Sequence, residues 1–582
     1  MGAMIRRYFP ILNWGGRYSP ALFADDALAA AIVTIMLIPQ SLAYAMIAGL
    51  PPEVGLYASM APLVAYAIFG TSNTLAVGPV AVVSLMTASA VGRIAETGGP
   101  DYIAAAAALA VLSGLMLTAL GLLRLGFLAN FLSHPTIAGF IAASGILIAA
   151  GQAKHLLGVE AYGESLLAIV TSLAGHVRET NPVTLAIGAG SLLFLLLARA
   201  HFQKLLRAIG LKERLASSVA KAGPLLAVIG ATALVASLGL EASGVAIVGD
   251  IPRGLPPLGA PDVAFTVWRE LAGAAFLIAI IGYVESVSVA QTLAAKRRER
   301  IDLDQELIGL GTSNIAAGFT GGFPVTGGFA RSVVNFDAGA RTPAAGAFAA
   351  IGIAFAALFL TPFLYYLPQA TLAATIIVAV LSLINTGAIV RIWRYSKSDF
   401  AAMAITMLGV FVFGVETGVV AGVALSILLL LSRASVPHYA IVGQVSGTEH
   451  FRNIKRHQVI VSPSAVAMRI DGNLFFANAR FLEDRILALI ADAPAVKHVV
   501  LMCSAVNEID ASALESLEAI NERLKSAGVR FHLSEVKGPV MDRLKRTHFL
   551  EALTGRIFLS QFEAMRALDP ATFRLPNGSP SP

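Results

Sequence analysis

Gly321-Gly-Phe-Pro-Val-Thr-Gly-Gly-Phe-Ala-Arg-Ser-Val-Val-Asn335 sets one arginine in the middle of a strongly apolar polypeptide. Two glycine pairs and Pro324 stop a regular helix ahead of this point, because glycine costs about 1 kcal/mol and proline about 3 kcal/mol in a helix interior. A new helix can begin near Gly328, which leaves free amide N–H groups beside a fixed positive charge. Broken helices are tolerated at membrane depth only where they are buried in protein or line a cavity. Amide groups at a helix start, with the positive end of its dipole, suit an anion. The stretch therefore reads as an anion site inside a membrane domain.

Composition supports that setting. The chain is 56% hydrophobic and 13% charged, with a mean hydropathy of +0.74, against about 25% charged residues in soluble proteins. Of the charged residues, 46 precede His438 and 32 fall in the 145 residues from His438 onward, so a membrane domain is followed by one of soluble composition. The expected divisions are 1–24, 25–435, 436–570 and a flexible tail 571–582. In a membrane protein a net charge of +6 marks cytoplasmic loops rather than nucleic-acid binding. The single Cys503 lies in a strand-like apolar run, Val499-Val-Leu-Met-Cys503, and reads as a core residue.

Fourteen apolar segments run from Ala27 to Leu431. The third, Val80–Ile94, and the tenth, Gly328–Gly339, are well short of the ~20 residues a full span needs. They hold equivalent places in two halves of seven spans. Paired short segments interrupted by glycine or proline point to a binding site at the bilayer midplane of an inverted repeat. Here the pair is Thr74-Leu-Ala-Val-Gly-Pro79 and Pro324-Val-Thr-Gly-Gly328. An odd number of spans per repeat inverts the second half. Basic residues after even-numbered spans place the N-terminus in the cytoplasm: Arg199, Lys204, Arg207, Lys212, Arg214 and Lys221 follow the sixth, Lys296, Arg297, Arg298 and Arg300 the eighth, and Arg391, Arg394 and Lys397 the twelfth. Asp25 and Asp26 open the first span, where acids complement the helix dipole.

Pro39-Gln-Ser-Leu-Ala-Tyr-Ala45, Ala48-Gly-Leu-Pro-Pro-Glu-Val-Gly-Leu-Tyr57, Val77-Gly-Pro79 and the Arg331 stretch together resemble the SulP sulfate-permease family over nearly the whole chain. The resemblance implies a uracil-transporter-like fold of core and gate subdomains and an anion held between the third and tenth helices. It further implies elevator-type movement of the core, and a homodimer in the inner membrane. Carried over by position, it places Gln40, Tyr44, Val80, Gly327, Gly328, Phe329, Ala330 and Arg331 around the substrate. Gln40 and Tyr44 are one helical turn apart and can point the same way. Arg331 is a functional-site residue by its depth alone, the alternative being a contact to backbone carbonyls.

Glu285, in Ile281-Gly-Tyr-Val-Glu-Ser-Val-Ser288, is the second charge deep in an apolar span. A carboxylate there is costly unless it is protonated or paired. It resembles the acidic residue that family members use for cation coupling. Glu in place of Asp, with Val289 one turn on and no hydroxyl on Phe329, argues for a proton over sodium. A purely structural partner for Arg331 is the other reading of the same residue.

From about Ala440 short β-type runs alternate with helical ones, an α/β layered domain. Arg469-Ile-Asp-Gly-Asn-Leu-Phe-Phe-Ala-Asn478 and Asn507-Glu-Ile-Asp-Ala-Ser-Ala-Leu514 resemble the STAS domain that follows SulP transporters. Related antagonist proteins are phosphorylated on a serine directly after the aspartate. Here Ala511 follows Asp510 and Ser512 comes one place later, so Asp510 and Ser512 read either as a weak regulatory site or as helix caps. The domain is expected to regulate, or to dock a soluble partner. Nothing in the chain resembles a phosphate-binding loop, a metal pair or a hydrolytic triad, so neither an enzyme nor a cofactor or metal is expected. The sequence reads as a secondary transporter of sulfate, bicarbonate, chloride or a C4-dicarboxylate. An uncoupled exchanger or channel and a membrane-anchored STAS scaffold are its rivals.

Overall fold

Serine, asparagine and proline set the starts of several long helices. Ser19 accepts from the Leu22 amide with Pro20 in the first turn, Ser133 accepts from Thr136, and Asn181 from Val183 and Thr184, each satisfying a first-turn donor. The computed structural model describes residues 2–95, 100–131, 133–163, 165–208, 210, 223–382 and 384–573. Lys212, Arg214 and Lys221 of the basic loop and 574–582 of the expected tail lie outside these residues.

After short helical turns over the first residues come α1 (Pro20–Ile47), α2 (Pro52–Tyr57), α3 (Ala61–Phe69), β1 (Val77–Gly78), α4 (Ala81–Val91), α5 (Pro100–Leu122), α6 (His134–Leu157), α7 (Leu166–His176), α8 (Pro182–Leu197) and α9 (Gly223–Leu238). The second half holds α10 (Phe265–Arg297), α11 (Leu303–Phe319), β2 (Thr326–Gly327), α12 (Phe329–Ala338), α13 (Ala344–Phe355), α14 (Gln369–Leu381), α15 (Thr386–Tyr395), α16 (Lys397–Phe413) and α17 (Val415–Ser435). All fourteen expected segments are helical, with α2 and α3 together forming the second. Among the described residues nine helices are long and apolar enough to cross a membrane alone.

The packing is consistent with the repeat. Exchanging each span for the one seven places on turns the α5–α11 contact into α13–α3, α5–α10 into α13–α1, α1–α12 into α10–α4 and α6–α16 into α14–α8, and every one of these pairs is packed. The spans fall into two groups, α1–α5 with α10–α13, and α6, α8 and α9 with α14, α16 and α17. Between the groups the correspondence fails. α1 packs on α14, and α4 on α6, more extensively than α10 packs on α6, or α12 on α14.

Within the first group the α5–α11 crossing is close because glycines face it. A Cβ on Gly114 would meet the Gly311 carbonyl at 2.6 Å, and one on Gly318 the Ala107 carbonyl at 2.6 Å. Buried acids brace the loops. Glu306, fully buried, accepts from Tyr66 Oη (2.7 Å), Thr71 N (2.8 Å), Thr71 Oγ1 (2.5 Å) and Ser72 N (3.1 Å), fixing the segment that enters β1. Asp26 differs from its expected role. The first helix begins at Pro20, so Asp26 sits in the second turn. It is fully buried and accepts from Arg341 N (2.6 Å), Thr342 N (3.1 Å), Thr342 Oγ1 (2.6 Å) and Tyr18 Oη (3.1 Å). It anchors the chain ahead of α13 rather than a helix dipole. Because unpaired buried donors cost about 1–3 kcal/mol each, Glu306→Ala is expected to lose roughly 3 kcal/mol of stability, read as a lowered thermal midpoint in detergent.

By packing the chain divides into 1–426 and 427–582. The break falls inside α17, earlier than position 435, because the last turns of that helix are largely exposed. The second unit is a six-stranded sheet, ordered β4-β3-β5-β6-β7-β8 from β3 (Tyr439–Gln444), β4 (Phe451–Asn453), β5 (Ala465–Ile470), β6 (His498–Met502), β7 (Arg530–Ser534) and β8 (Ile557–Phe558). β5 to β8 run parallel, and β3 is antiparallel to both of its neighbours. Helices α18 (Ala479–Ala491) and α19 (Ala511–Ser526) contribute Leu482, Ile486, Leu517 and Ile520 to the core over it.

On β6 and β7, His498 Nδ1 and His532 Nε2 are 3.1 Å apart, and the Arg556 amide donates to His532 Nδ1 at 3.0 Å. Burial, then the neighbouring His498, Arg556 and Arg530 charges, push His532 down to about 4. The unfolded chain binds this proton near pH 6.5 and the folded one does not. Stability of the second unit is therefore full above about pH 6.5 and falls as pH drops toward 4. Amide-exchange protection of β6 and β7 in the full chain, corrected for intrinsic rates, should follow that slope, and His532→Gln should flatten it.

Candidate anion site

The two short strands place both half-helices at one point. Val77 pairs with Gly327 and Gly78 with Thr326, antiparallel, and the Gly328 amide donates to the Ala76 carbonyl at 3.1 Å. Side chains of α12 reach across to fix the other half: Ser332 Oγ accepts from Ala76 N (3.0 Å), and Asn335 Nδ2 donates to the Thr74 carbonyl (3.1 Å). From α10, Ser286 Oγ accepts from the Gly327 amide (2.8 Å) and lies 2.5 Å from Thr326 Oγ1. At its far end α12 is held by Arg297, which donates to the Phe336 and Ala340 carbonyls, a cation at a helix C-terminus.

Neither half-helix has a side-chain cap. α4 starts from Val80 and α12 from Gly328 with no side-chain acceptor for their first-turn amides, so those donors and both dipoles remain available to a ligand. Arg331 lies in the first turn of α12 and is 2% exposed. Its guanidinium packs against two glycines. A Cβ on Gly328 would sit 2.8 Å from Nε and Nη2, and one on Gly78, whose φ is +156°, 3.1 Å from Nη1. Nη1 and Nη2 are buried and have no hydrogen-bond partner among the described residues. A buried cation without a partner carries a desolvation cost of several kcal/mol, which an anion placed against those nitrogens offsets.

A small cavity opens beside them. Gln40 and Tyr44 of α1, Val80 at the start of α4, and Gly328, Phe329, Ala330 and Arg331 at the start of α12 line it, with Glu285 of α10. Phe329 is 47% exposed. Gly327 does not line the cavity. Its amide is held by Ser286, and a Cβ there would meet Leu75 at 2.5 Å. The opposite wall is one that sequence reading did not name: Ile141, Gly145 and Ile148 of α6, and Ala379 and Val380 of α14. The lining helices are thus three repeat pairs, α1 with α10, α4 with α12, and α6 with α14. Glu285 Oε2 is buried with no partner, and no ion pair joins it to Arg331 among the described residues. No cluster of potential metal ligands occurs among them.

In the second unit both oxygens of Asp510 are engaged by backbone amides, of Ala513 and of Phe476, each at 2.8 Å. Ser512 is exposed in the first turn of α19.

Two family profiles match the chain, that of the sulfate permease family over residues 23–406 and that of the STAS domain over 456–564. Sulfate transporter 4.1, chloroplastic, of Arabidopsis thaliana is 35% identical over 94% of this chain and 80% of its own. High affinity sulfate transporter 2 of Stylosanthes hamata is 33% identical over 97% of this chain and 87% of its own. The structure is similar to that of the murine Solute Carrier 26 family member A9 anion transporter in the inward-facing state, with a TM-score of 0.86 at 25% identity, covering 98% of this chain and 95% of that one. It is also similar to the transmembrane domain of a cyanobacterium bicarbonate transporter, BicA, with a TM-score of 0.58 at 20% identity, over 70% of this chain and 98% of that one.

Proposed function

The chain belongs to the sulfate permease family, and from that premise we propose that this integral membrane protein is a secondary-active, proton-coupled carrier of a small oxyanion such as sulfate. The observation that carries the reading is the Arg331 guanidinium, buried between two uncapped helix starts with both terminal nitrogens unpartnered among the described residues. Its field and the two dipoles supply about one to two charges' worth of attraction without a metal. Two relatives are named as sulfate transporters, which makes sulfate the first anion to test. Glu285, facing the same cavity, exchanges a proton as the anion is carried.

The cycle is of the elevator type, one helix group moving against the other. Contacts such as α5–α10 and α13–α1 obey the repeat exchange while α1–α14 and α4–α6, between the groups, break it, as expected of one of two alternating arrangements. An Arg93–Glu416 ion pair of 2.6 Å joins α17 to the residue just beyond the C-terminal end of α4. The N-terminus and the STAS unit face the cytoplasm, and the protein works as a homodimer in the inner membrane.

Uptake by proteoliposomes of labelled sulfate, bicarbonate, chloride, succinate and fumarate, with and without inward proton or sodium gradients, tests the reading. Saturable uptake of one anion accelerated by protons is expected. Sodium-driven or gradient-independent uptake would remove the coupling assignment, and no uptake of any of the five by folded protein would remove the substrate class. Gly328→Ala makes a narrower test. Its Cβ displaces the far end of a flexible side chain rather than backbone, so folding should be retained while half-saturation for the anion rises by roughly tenfold, the loss of about one hydrogen bond to a charged group.

A further inference from the structure

Glu285 borders two cavities. Besides the anion cavity, a second, smaller one lies among Thr136 and Phe140 of α6, Ile281 and Val284 of α10, and Val419 of α17, with Glu285 and Ile141 common to both. Apart from Glu285, Thr136 carries the one polar side chain on its wall. That hydroxyl is fully buried and belongs to a trio: Thr136 Oγ1 is 2.8 Å from Ser133 Oγ and 2.7 Å from Ser426 Oγ, and those two are 3.1 Å apart. Ser133 and Ser426 are half-buried, and His134 beside them is exposed. The trio thus runs from accessible surface to a buried wall that Glu285 also faces. It lies at the start of the fifth span, on the same side of the membrane as the N-terminus.

We propose that this second cavity and the Ser133–Thr136–Ser426 hydroxyls form a water-bridged path through which Glu285 exchanges its proton with the N-terminal side, apart from the anion's path. The inference rests on the reading of Glu285 as the proton-coupling residue. Hydroxyls both donate and accept, so a chain of them passes a proton by turning over, one bond breaking as the next forms. The cavity has room for about one water, which requires two or more polar partners. Thr136 Oγ1 and the unpartnered Glu285 Oε2 supply them. Anions are excluded because the remaining wall is apolar and Arg331 is not part of it. The other titratable or charged groups lining either cavity, Tyr44 and Arg331, both stand on the anion side. Proton and anion therefore reach opposite faces of one carboxyl group.

The test uses Thr136→Val, which keeps shape and removes the hydroxyl, Ser426→Ala as an independent break, and Thr136→Ser as the restoring control. Full-length protein in liposomes with saturating sulfate is mixed with D2O, and the infrared carbonyl band of protonated Glu285, identified by its loss in Glu285→Gln, is followed over a range of pH. Exchange at least tenfold slower in Thr136→Val and Ser426→Ala, near native in Thr136→Ser, with unchanged half-saturation for sulfate, is the expected result. Native exchange rates in both broken variants would overturn the path even if proton-driven uptake is intact. Slowed exchange in a protein whose uptake ignores protons would leave the path standing and remove the coupling. Absence of a Glu285 carbonyl band at every pH would overturn both.

Discussion

Arg331→Gln should raise the half-saturating anion concentration of uptake by one to two orders of magnitude, the loss of about 1.5–3 kcal/mol of charge-assisted hydrogen bonding. The same substitution should make the anion-free protein more stable, not less. Among the described residues the buried guanidinium has no partner for Nη1 and Nη2, so removing it relieves a desolvation cost. Thermal unfolding in detergent, with and without sulfate, reads both effects. Native protein should gain stability on adding anion, by RT ln(1 + [L]/Kd), and the variant should start higher and gain little. A variant that is destabilised without anion would mean that Arg331 braces the fold instead. Arg331→Lys keeps the charge but not the planar fork and should fall between the two.

Glu285→Gln should abolish the acceleration of uptake by an inward proton gradient while leaving anion binding close to native. The carboxyl lies in the cavity without an ion pair to Arg331, so neutralising it permanently mimics its protonated form and leaves the anion's donors in place. Uptake of labelled anion is compared with and without an imposed gradient, alongside anion exchange at equal pH on both sides. Exchange should continue at a rate near native as the gradient response disappears. A Glu285→Gln protein with its full gradient response would remove the residue from the coupling role.

Much of the architecture was legible because membrane helices announce themselves by length and apolarity, and because a glycine- and proline-rich break recurs seven spans apart. What sequence missed has physical reasons. α7 and α15 are short helices at the flanks of spans, and Arg391 and Arg394 of α15 read as a basic loop. Ile141, Gly145, Ile148, Ala379 and Val380 look like any lipid-facing or core residues until α6 and α14 are seen to close the cavity. Glu306 gave no signal, and Asp26 read only as an acid for the helix dipole, because their donors come from hydroxyl groups and backbone amides up to 316 residues away. Arg331 and Glu285 were legible, since charge at membrane depth has few structural explanations. In the second unit β4 and β8 are three and two residues long, too short for alternation to show. The strand pattern of β5 to β7 was plain.

The broken correspondence between the two helix groups carries a thermodynamic consequence. On the proposed elevator cycle, a docking that opens one side of the bilayer would have a counterpart, built from repeat-related contacts, that opens the other. Two such dockings differ little in free energy. The anion's donors belong to a hydrogen-bonded unit, β1–β2 with its half-helices, so in that cycle they would travel together and intrinsic affinity would be similar on both faces. A carrier of this kind has no built-in direction. Import and export are the same cycle run under opposite gradients, and vesicles loaded with anion and placed in anion-free buffer should empty through the protein as readily as empty ones fill.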